Sequence, residues 1–345
     1  MGSNSLVMYR SRAPVRIDFA GGWTDVAEFC LDTPGKVVNA AINIYSYASL
    51  VPGAANDEKG VRIYSSDYDS YVEAEDVRKL EYDGNIDLVK GAIRRMNVAG
   101  GFEIATQSHA PAGSGLGTSA AMGVALIGAL SQYAGTNLLG YEVAEMASEI
   151  ERRELGIRGG KQDHYSSAIG GISFMEFRGE EVLYSRIDLP RSTVLELQKN
   201  LVLCYTGRSR LSGDVHRSVF ENFEKGEGET VSAMAELKTI AVELKNALMQ
   251  GDLDGYAELL DENWRNQQRL HPSVTNDNID ELFSIARREG ARGGKALGAG
   301  GGGCLLFYCR ADREPQVAKA LAEAGAQVIR FQFVFDGLEG WKSTG

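Results

Sequence analysis

The feature that most constrains this chain is a glycine-rich segment at residues 111–121, which reads Pro-Ala-Gly-Ser-Gly-Leu-Gly-Thr-Ser-Ala-Ala. A strand is predicted just before it, at residues 102–108, and an apolar helix just after it, at residues 120–133. Glycines let a backbone turn tightly and direct several N–H groups at one anion, and the start of a helix adds its positive dipole end. This order of strand, loop and helix predicts a phosphate-binding site.

The spacing of the glycines excludes two common nucleotide-binding signatures. No lysine follows them, so the segment is not a Walker A loop. Gly113, Gly115 and Gly117 are spaced by two and two, whereas the dinucleotide fingerprint needs two and three. The hydroxyls of Thr118 and Ser119 are placed to cap the helix or to reach a metal ion. Taken alone, the segment also fits a flexible turn, so its interpretation depends on the rest of the chain.

Composition narrows the class of protein. The 345 residues suffice for two modest domains, and the 43% hydrophobic and 24% charged fractions are ordinary for a globular protein. A net charge of −11 argues against a nucleic-acid partner. The four cysteines form no Cys-x2-Cys pair, which argues against zinc and fits a reducing, cytoplasmic location. Residues 1–9 do not read as a signal peptide, and no apolar stretch approaches the roughly 20 residues that span a bilayer, so we predict no membrane partner.

Hydrophobic periodicity predicts an α+β chain of two domains. Further strands are predicted at residues 37–51, 61–64, 71–73, 170–177, 182–187, 201–205, 304–309 and 327–334. Further helices are predicted at residues 85–96, 142–155, 229–249, 253–270, 278–289 and 313–323. The pattern becomes mixed over residues 188–200, where Pro190 interrupts it. We place the domain junction there, which gives domains 1–195 and 196–345 with two layers each.

Two further segments give the glycine loop a context. Residues 13–25 read Ala-Pro-Val-Arg-Ile-Asp-Phe-Ala-Gly-Gly-Trp-Thr-Asp, and residues 294–308 read Gly-Lys-Ala-Leu-Gly-Ala-Gly-Gly-Gly-Gly-Cys-Leu-Leu-Phe-Tyr. In order and separation, the three segments resemble the signature motifs of the GHMP small-molecule kinases, the superfamily of galactokinase, homoserine kinase, mevalonate kinase and phosphomevalonate kinase. The resemblance covers nearly the whole chain. It implies a two-domain GHMP kinase fold, ribosomal-protein-S5-like at 1–195 and ferredoxin-like at 196–345, with nucleotide and acceptor in the cleft between the domains.

Within the superfamily, the chain is similar to the D-glycero-α-D-manno-heptose 7-phosphate kinases at residues 16–25, 159–163 and 273–308. Two positions depart from that group. Trp23 stands where glycine is usual, and His164 stands where glutamine is common. Trp23 either stacks on a sugar face or packs in the core.

The resemblance implies ATP and Mg²⁺ as cofactors. Phosphoryl transfer depends on positioning, charge neutralisation and a carboxylate at the acceptor hydroxyl. Residues 298–303 are expected to shape a second loop beside the first. The predicted phosphate contacts are Pro111, Gly113, Ser114, Gly115, Leu116, Gly117, Thr118 and Ser119.

Three residues are expected to act on the transferred group. Asp163 matches the aspartate that deprotonates or orients the acceptor hydroxyl in the family. Arg16 is the first candidate for the cation that offsets charge in the transition state, with an ion pair to Asp18 as the alternative interpretation. Lys161 is the second candidate, with a solvated loop lysine as the alternative.

For the metal, the resemblance implies Ser119 and Glu151, because Glu151 precedes Asp163 by the family's spacing of 12 residues. Helical geometry leaves Glu154 open as a competitor. At 100° per residue from Val143, Glu154 falls about 20° from the apolar stripe, whereas Glu151 falls about 80° from it.

For the acceptor, Asp25 matches a sugar-hydroxyl-binding aspartate of galactokinases, Gly22 opens room where those enzymes carry an acidic residue, and Gly160 lies in the catalytic segment. Arg208 and Arg210 follow a predicted strand and offer a phosphate pocket, with a solvated basic turn as the alternative.

These assignments together predict an ATP- and Mg²⁺-dependent kinase. It would phosphorylate the anomeric C1 hydroxyl of D-glycero-D-manno-heptose 7-phosphate, and the 1,7-bisphosphate would feed nucleotide-activated heptose for capsule or other surface polysaccharide. A kinase for another sugar, such as fucose or mannose, and a non-catalytic sugar sensor are the alternatives. The predicted partners are ATP and a sugar phosphate, and a homodimer is left open.

Overall fold

The computed structural model describes residues 7–53, 59–207 and 212–344, with residues 212–214 described by their backbone. The strands are β1 (Val7–Ala20), β2 (Gly35–Pro52), β3 (Val61–Ser65), β4 (Ser70–Ala74), β5 (Phe102–Ser108), β6 (Ile172–Arg178), β7 (Glu181–Arg186), β8 (Leu201–Tyr205), β9 (Ala291–Ala296), β10 (Cys304–Cys309), β11 (Gln327–Ile329) and β12 (Glu339–Thr344). The helices are α1 (Asp87–Met96), α2 (Thr118–Ala134), α3 (Gly140–Glu149), α4 (Gln162–Ile169), α5 (Arg191–Asn200), α6 (Ser212–Glu224), α7 (Gly228–Gln250), α8 (Leu253–Arg269), α9 (Asp277–Glu289) and α10 (Glu314–Glu323). The predicted α+β organisation is confirmed.

The first sheet is built around the long strands β1 and β2. Its order is β12-β1-β2-β5-β3-β4, with β6 paired to β2 and β7 paired to β6. Strand β2 pairs with β1 along one edge, and its other edge is shared between β5 and β6. Because side chains alternate along a strand, β1 buries Val15, Ile17 and Phe19 on one face and turns Arg16 and Asp18 to the other.

The second sheet has the order β11-β8-β10-β9, and all its pairings are antiparallel. In chain order these are the fourth, first, third and second strands of this half, and α10 connects the last two. This is the strand order of a ferredoxin-like unit, into which α6, α7, α8 and α9 are inserted between the first two strands. The two sheets share one hydrophobic cluster, in which Phe19 of β1 meets Tyr256 of α8 edge to face at 5.5 Å.

Most predicted elements are confirmed, and the differences are local. The helix predicted at 142–155 is α-helical only to Glu149, because Ile150–Glu154 forms a π-helical turn. The strand predicted at 327–334 is three residues long, followed by one bridge between Ile42 and Phe333. Strands β1, β9 and β12 and helices α4, α5 and α6 were not predicted. Helix α4 begins at Gln162, one residue before Asp163.

The junction at 195/196 remains a prediction, and two observations bear on where such a division would run. That position lies inside α5. In addition, β12 pairs with β1 from Val7↔Thr344 to Arg12↔Glu339, so the last strand completes the first sheet and covers the edge of β1. Among the residues that the structure describes, no helix combines the length and the apolar character that a bilayer crossing requires.

Candidate active site

The predicted phosphate loop lies at the start of α2. Gly113, Gly115 and Gly117 have φ values of +66°, +74° and +76°, a region that glycine enters without steric cost. Helix α2 starts at Thr118, and no side chain of the described residues caps its N-terminus. The first N–H groups of the helix are therefore free to bind an anion at the positive end of the dipole.

The second glycine loop, at residues 298–303, packs directly on the first. The amide N–H of Cys304 donates to the carbonyl oxygen of Ser114 at 2.8 Å. A Cβ atom added at Gly298 would lie 2.9 Å from the Cα atom of Gly115, and one added at Gly303 would lie 2.8 Å from the Ser114 oxygen. Backbone-to-backbone contact this close requires glycine, so the predicted neighbourhood of the two loops is confirmed.

Arg16 joins the first loop to Asp163. Its Nε donates to Oδ1 of Asp163 at 2.7 Å, and its Nη1 donates to the carbonyl oxygen of Gly115 at 2.6 Å. The backbone N–H of Arg16 donates to the carbonyl oxygen of Leu116 at 3.0 Å. Asp163 lies in the first turn of α4, and a Cβ atom at Gly117 would approach its carboxylate to 2.9 Å. The candidate cation and the candidate acceptor carboxylate thus form one ion pair beside the phosphate loop.

The structure also brings the two predicted metal ligands together. The Ser119 hydroxyl donates to Oε1 of Glu151 at 2.5 Å, and Nε2 of His164 lies 2.7 Å from Oε2. Burial by itself would raise the pKa of Glu151, but the hydrogen bonds from His164 and Ser119 outweigh burial and lower it. Glu151 is therefore held as a carboxylate.

The competitor Glu154 points elsewhere. Its carboxylate accepts a hydrogen bond from the Tyr82 hydroxyl at 3.0 Å and pairs with Arg95 at 3.4 Å. The α-helical projection that placed Glu154 near the apolar stripe fails because the Leu155 N–H donates to the carbonyl oxygen of Ile150, five residues back. Such a π-turn contains one more residue than an α-turn and rotates the residues after it around the helix axis.

The Ser119–Glu151 pair fits Mg²⁺ by its chemistry. Mg²⁺ prefers oxygen ligands and is commonly held by one or two carboxylates together with substrate phosphates. Across residues 7–53, 59–207 and 212–344, no group of three or more His, Cys, Asp or Glu side chains is arranged to hold a metal ion alone. A site completed by phosphate oxygens is consistent with both facts.

Asp25 lies buried beside the catalytic segment. Its Oδ2 accepts the N–H of Gln162 at 3.1 Å, and a Cβ atom at Gly160 would collide with its carboxylate. Burial, helped by the nearby Asp163 carboxylate, raises the pKa of Asp25 to about 6. Gly22 lines the cavity, and a Cβ atom there would collide with the carboxylate of Asp18, so this glycine also makes room for that side chain.

Asp18 takes part in an ion pair that was not predicted from the sequence. Oδ2 of Asp18 on β1 lies 2.6 Å from Nζ of Lys295 on β9, and the two side chains are 2% and 0% exposed. A lysine that directly follows two glycines, inside a recognised motif, was the available signal. This pair connects the two sheets at the cleft.

Lys161 is not placed to act on a ligand. Its ammonium is buried and pairs with Glu145 at 3.0 Å and with Glu180 at 2.8 Å. Pro111 and Leu116 likewise do not line the cleft. The predicted phosphate ligands Arg208 and Arg210 lie outside the described residues.

The remaining predicted residues surround a single cavity of about 310 Å³. Both glycine loops line it, and Asp163 stands next to the first of them. Arg152, Arg158, Trp23 and His216 also contribute to its walls. The arrangement provides an anion-binding helix start, a pair of metal-binding oxygens, and two carboxylates that could contact an acceptor hydroxyl.

Comparisons with known proteins agree with this geometry. The family models described as "GHMP kinases N terminal domain" and "GHMP kinases C terminal" match residues 87–171 and 240–327. A Campylobacter jejuni protein named D-glycero-alpha-D-manno-heptose 7-phosphate kinase is 32% identical over 340 residues, which are 96% of this chain and 98% of that protein.

Two further relatives bear on the acceptor. A crystal structure titled as a D-glycero-D-manno-heptose 1-phosphate kinase from Bacteroides thetaiotaomicron superimposes with a TM-score of 0.81 at 32% identity, covering 98% of this chain and 100% of the other. An Arabidopsis thaliana bifunctional fucokinase/GDP-fucose pyrophosphorylase is 29% identical over 90% of this chain, which spans only 31% of that longer protein.

The buried environment of Asp25 predicts that the free energy of unfolding depends on pH. Its pKa is about 6 in the folded protein and near 3.8 when unperturbed, so the folded protein holds this proton more tightly. The free energy of unfolding should therefore fall by about 2 kcal/mol on this account as the pH rises from 4 to 7. Asp25→Asn removes the titration. Its stability relative to the parent protein should improve by that order between pH 4.5 and 7.5, measured by urea unfolding. Asp188→Asn, at a side chain 88% exposed, serves as the control, and parallel behaviour of the two variants would contradict the prediction.

Proposed function

Because the chain belongs to the GHMP kinase family, we propose that it transfers the γ-phosphoryl group of ATP to the anomeric C1 hydroxyl of D-glycero-D-manno-heptose 7-phosphate. Family membership makes it an ATP-dependent phosphotransferase with a hydroxyl acceptor, and the similarity to heptose kinases supports a sugar as that acceptor. The full-length similarity to a heptose 7-phosphate kinase supports the acceptor. In this proposal the 1,7-bisphosphate product is formed in the cytoplasm and serves nucleotide-activated heptose for capsule or other surface polysaccharide.

The observation that carries the proposal is the position of the Arg16–Asp163 pair. Asp163 is held by Arg16 against Gly117, the residue that precedes the first turn of α2. Phosphoryl transfer needs an acceptor oxygen in line with the transferred group, so the acceptor carboxylate must adjoin the phosphate-binding loop. In this role Asp163 orients the acceptor hydroxyl or takes its proton, and Arg16 offsets charge on the transferred group.

Two features support ATP binding at one end of the site: the glycine loops and the Ser119–Glu151 pair. The free N–H groups at the start of α2 would bind phosphate oxygens. Ser119 and Glu151 would hold Mg²⁺, which when bound neutralises phosphate charge. His164 keeps Glu151 oriented through its 2.7 Å contact. A histidine here thus supplies a hydrogen bond that fixes the proposed metal ligand.

Binding of the acceptor at the other end of the cavity is supported by Asp25 and by an arginine in the cavity wall. Asp25 can accept a hydroxyl, since Oδ1 has no hydrogen bond to a side chain among the described residues while Oδ2 is engaged by Gln162. Arg158 lines the cavity and is paired only loosely, at 3.9 Å, with the exposed Glu224. Its guanidinium fork suits a phosphate group on the acceptor. Arg208 and Arg210 remain predicted contributors to the same function.

The proposal is tested by acceptor-dependent ADP release from the purified protein. The acceptors are the heptose 7-phosphate, the heptose 1-phosphate, L-fucose, D-mannose and a blank without sugar, and ³¹P NMR locates the new phosphate. We expect turnover with the 7-phosphate and an acid-labile anomeric phosphate in the product. Turnover with fucose alone would favour the second candidate, to which the fucokinase similarity points. ADP release that no sugar stimulates would contradict both kinase assignments.

Glu151→Gln and Glu154→Gln form a matched pair for the metal site. Loss of the Glu151 carboxylate should lower kcat about 100-fold or more and raise the Mg²⁺ concentration needed for half-maximal rate, because a charged ligand is replaced by a neutral one. Among the described residues, the Glu154 side chain has hydrogen bonds only with Tyr82, which precedes α1, and with Arg95 of α1, so its variant should stay within about threefold of the parent. Equal effects from the two variants would remove Glu151 from the metal site.

Arg16→Met and Lys161→Met separate the two candidate cations. Arg16 contacts both Asp163 and the phosphate loop, so its replacement should lower kcat by about 100-fold or more. Lys161 is paired with Glu145 and Glu180 away from the cavity. Its replacement should lower the thermal midpoint, since Glu145 and Glu180 lose the buried cation that they share, and leave kcat of the folded enzyme within about threefold. A larger loss of kcat in Lys161→Met would contradict this assignment.

A further inference from the structure

Trp23 has an unusual backbone conformation for so large a residue. Its φ is +80°, in the left-handed region that glycine enters freely and bulky residues avoid. The other described non-glycine residues with positive φ are Asp69, Ile86, Asn97 and Asp312, and none of these lines the cleft, whereas Trp23 does. A costly conformation is therefore maintained at the one such position that faces the proposed acceptor.

The indole of Trp23 is also incompletely satisfied. The residue is 5% exposed, and its Nε1–H has no hydrogen-bond partner among the described residues. A tryptophan that only filled the core would ordinarily find a partner for this group. The surrounding cluster includes Val26, Phe29 and Val219, which hold the ring in place from both halves of the chain.

His216 of α6 completes a wall with Trp23. The two rings meet edge to face, with centroids 4.9 Å apart at 69°. Nδ1–H of His216 donates to the carbonyl oxygen of Arg158 at 3.2 Å, which turns Nε2 away as an acceptor. Burial lowers the pKa of His216, so the ring is neutral near pH 7.

The wall formed by Trp23 and His216 lies close to Asp25, the residue proposed to contact the acceptor. Trp23 is two residues from Asp25, and the segment that His216 contacts through Arg158 continues to Gly160, which packs against the Asp25 carboxylate. All of these residues line the same cavity. A sugar ring has an apolar C–H face and a polar edge of hydroxyl groups. It therefore binds where an aromatic side chain adjoins groups that accept hydrogen bonds from those hydroxyls.

We propose that Trp23 is a specificity-determining residue of this enzyme, whose indole, braced by His216, forms the wall that contacts the C–H face of the sugar acceptor. The inference rests on the proposed function for the presence of a sugar in the cleft. It extends that function, because it assigns acceptor choice to a position where the similar heptose kinases usually have glycine. The acceptor preference of this chain should accordingly depend on the indole.

The test compares Trp23→Phe and Trp23→Gly with Trp264→Phe. Trp264 is 2% exposed, belongs to the same hydrophobic cluster, stacks on Phe283 and does not line the cleft. For each variant, kcat/KM is measured with the best acceptor of the parent enzyme and with its nearest competitor in the sugar panel, alongside the KM for ATP. We expect the ratio of the two kcat/KM values to fall about tenfold in Trp23→Gly and about threefold in Trp23→Phe. In both variants the KM for ATP should stay within about twofold, and Trp264→Phe should keep the parent ratio.

Ratios within twofold of the parent in both Trp23 variants, or an equal rise in the KM values for sugar and ATP, would overturn the inference. If Trp23→Gly does not fold, Trp23→Phe decides the question alone. Sugar binding without ATP gives a second readout: its change in intrinsic fluorescence should be lost in Trp23→Phe and kept in Trp264→Phe. The sugar panel selects the acceptor used in this test. If the parent enzyme prefers another sugar, the heptose assignment is wrong, but the Trp23 variants still test the inference.

Discussion

Two buried charges on one strand determine how the cleft is assembled. Arg16 and Asp18 alternate with Val15, Ile17 and Phe19 on β1, so the strand that enters the hydrophobic core also carries a cation and an anion to the cleft. A buried charge is tolerated only with a partner, and removing one member of such a pair costs about 3–5 kcal/mol. Arg16 pairs with Asp163 of α4, and Asp18 pairs with Lys295 of β9. These partners come from different parts of the chain, which therefore must meet at β1.

The glycine loops make that meeting geometrically feasible. Backbone contact between Gly115 and Gly298, with the Cys304-to-Ser114 hydrogen bond, holds the start of α2 against the β9–β10 connection. Larger residues at these positions would separate the segments. The same glycines that leave the helix N-terminus open to an anion also set the distance between the two sheets, so phosphate binding and domain contact depend on one structural feature.

The sequence predicted the features that depend on local pattern and on recognised motifs. The glycine loop follows from its own pattern, whereas the roles of Ser119, Glu151 and Asp163 at the cleft were implied by the resemblance to the family. The predictions that differ from the structure concern long-range packing. Nothing local shows that Lys161 meets Glu145 and Glu180, because those glutamates come from separate elements. The π-turn at Ile150–Glu154 likewise has no clear sequence signal, and it turns Glu154 toward Tyr82 and Arg95 while Glu151 meets Ser119.

The charges in the cleft explain why Asp25 is suited to a hydroxyl ligand. Of the carboxylates near Asp25, Asp18 is paired with Lys295 and Asp163 with Arg16. Asp25 itself has no ion pair within the described part of the chain, and burial together with Asp163 raises its pKa to about 6. A cation there would bind Asp25 more strongly than a sugar could, and a fully solvated carboxylate would not discriminate. A neutral hydroxyl that donates to Asp25 would stabilise its charged form without displacing an existing ion pair.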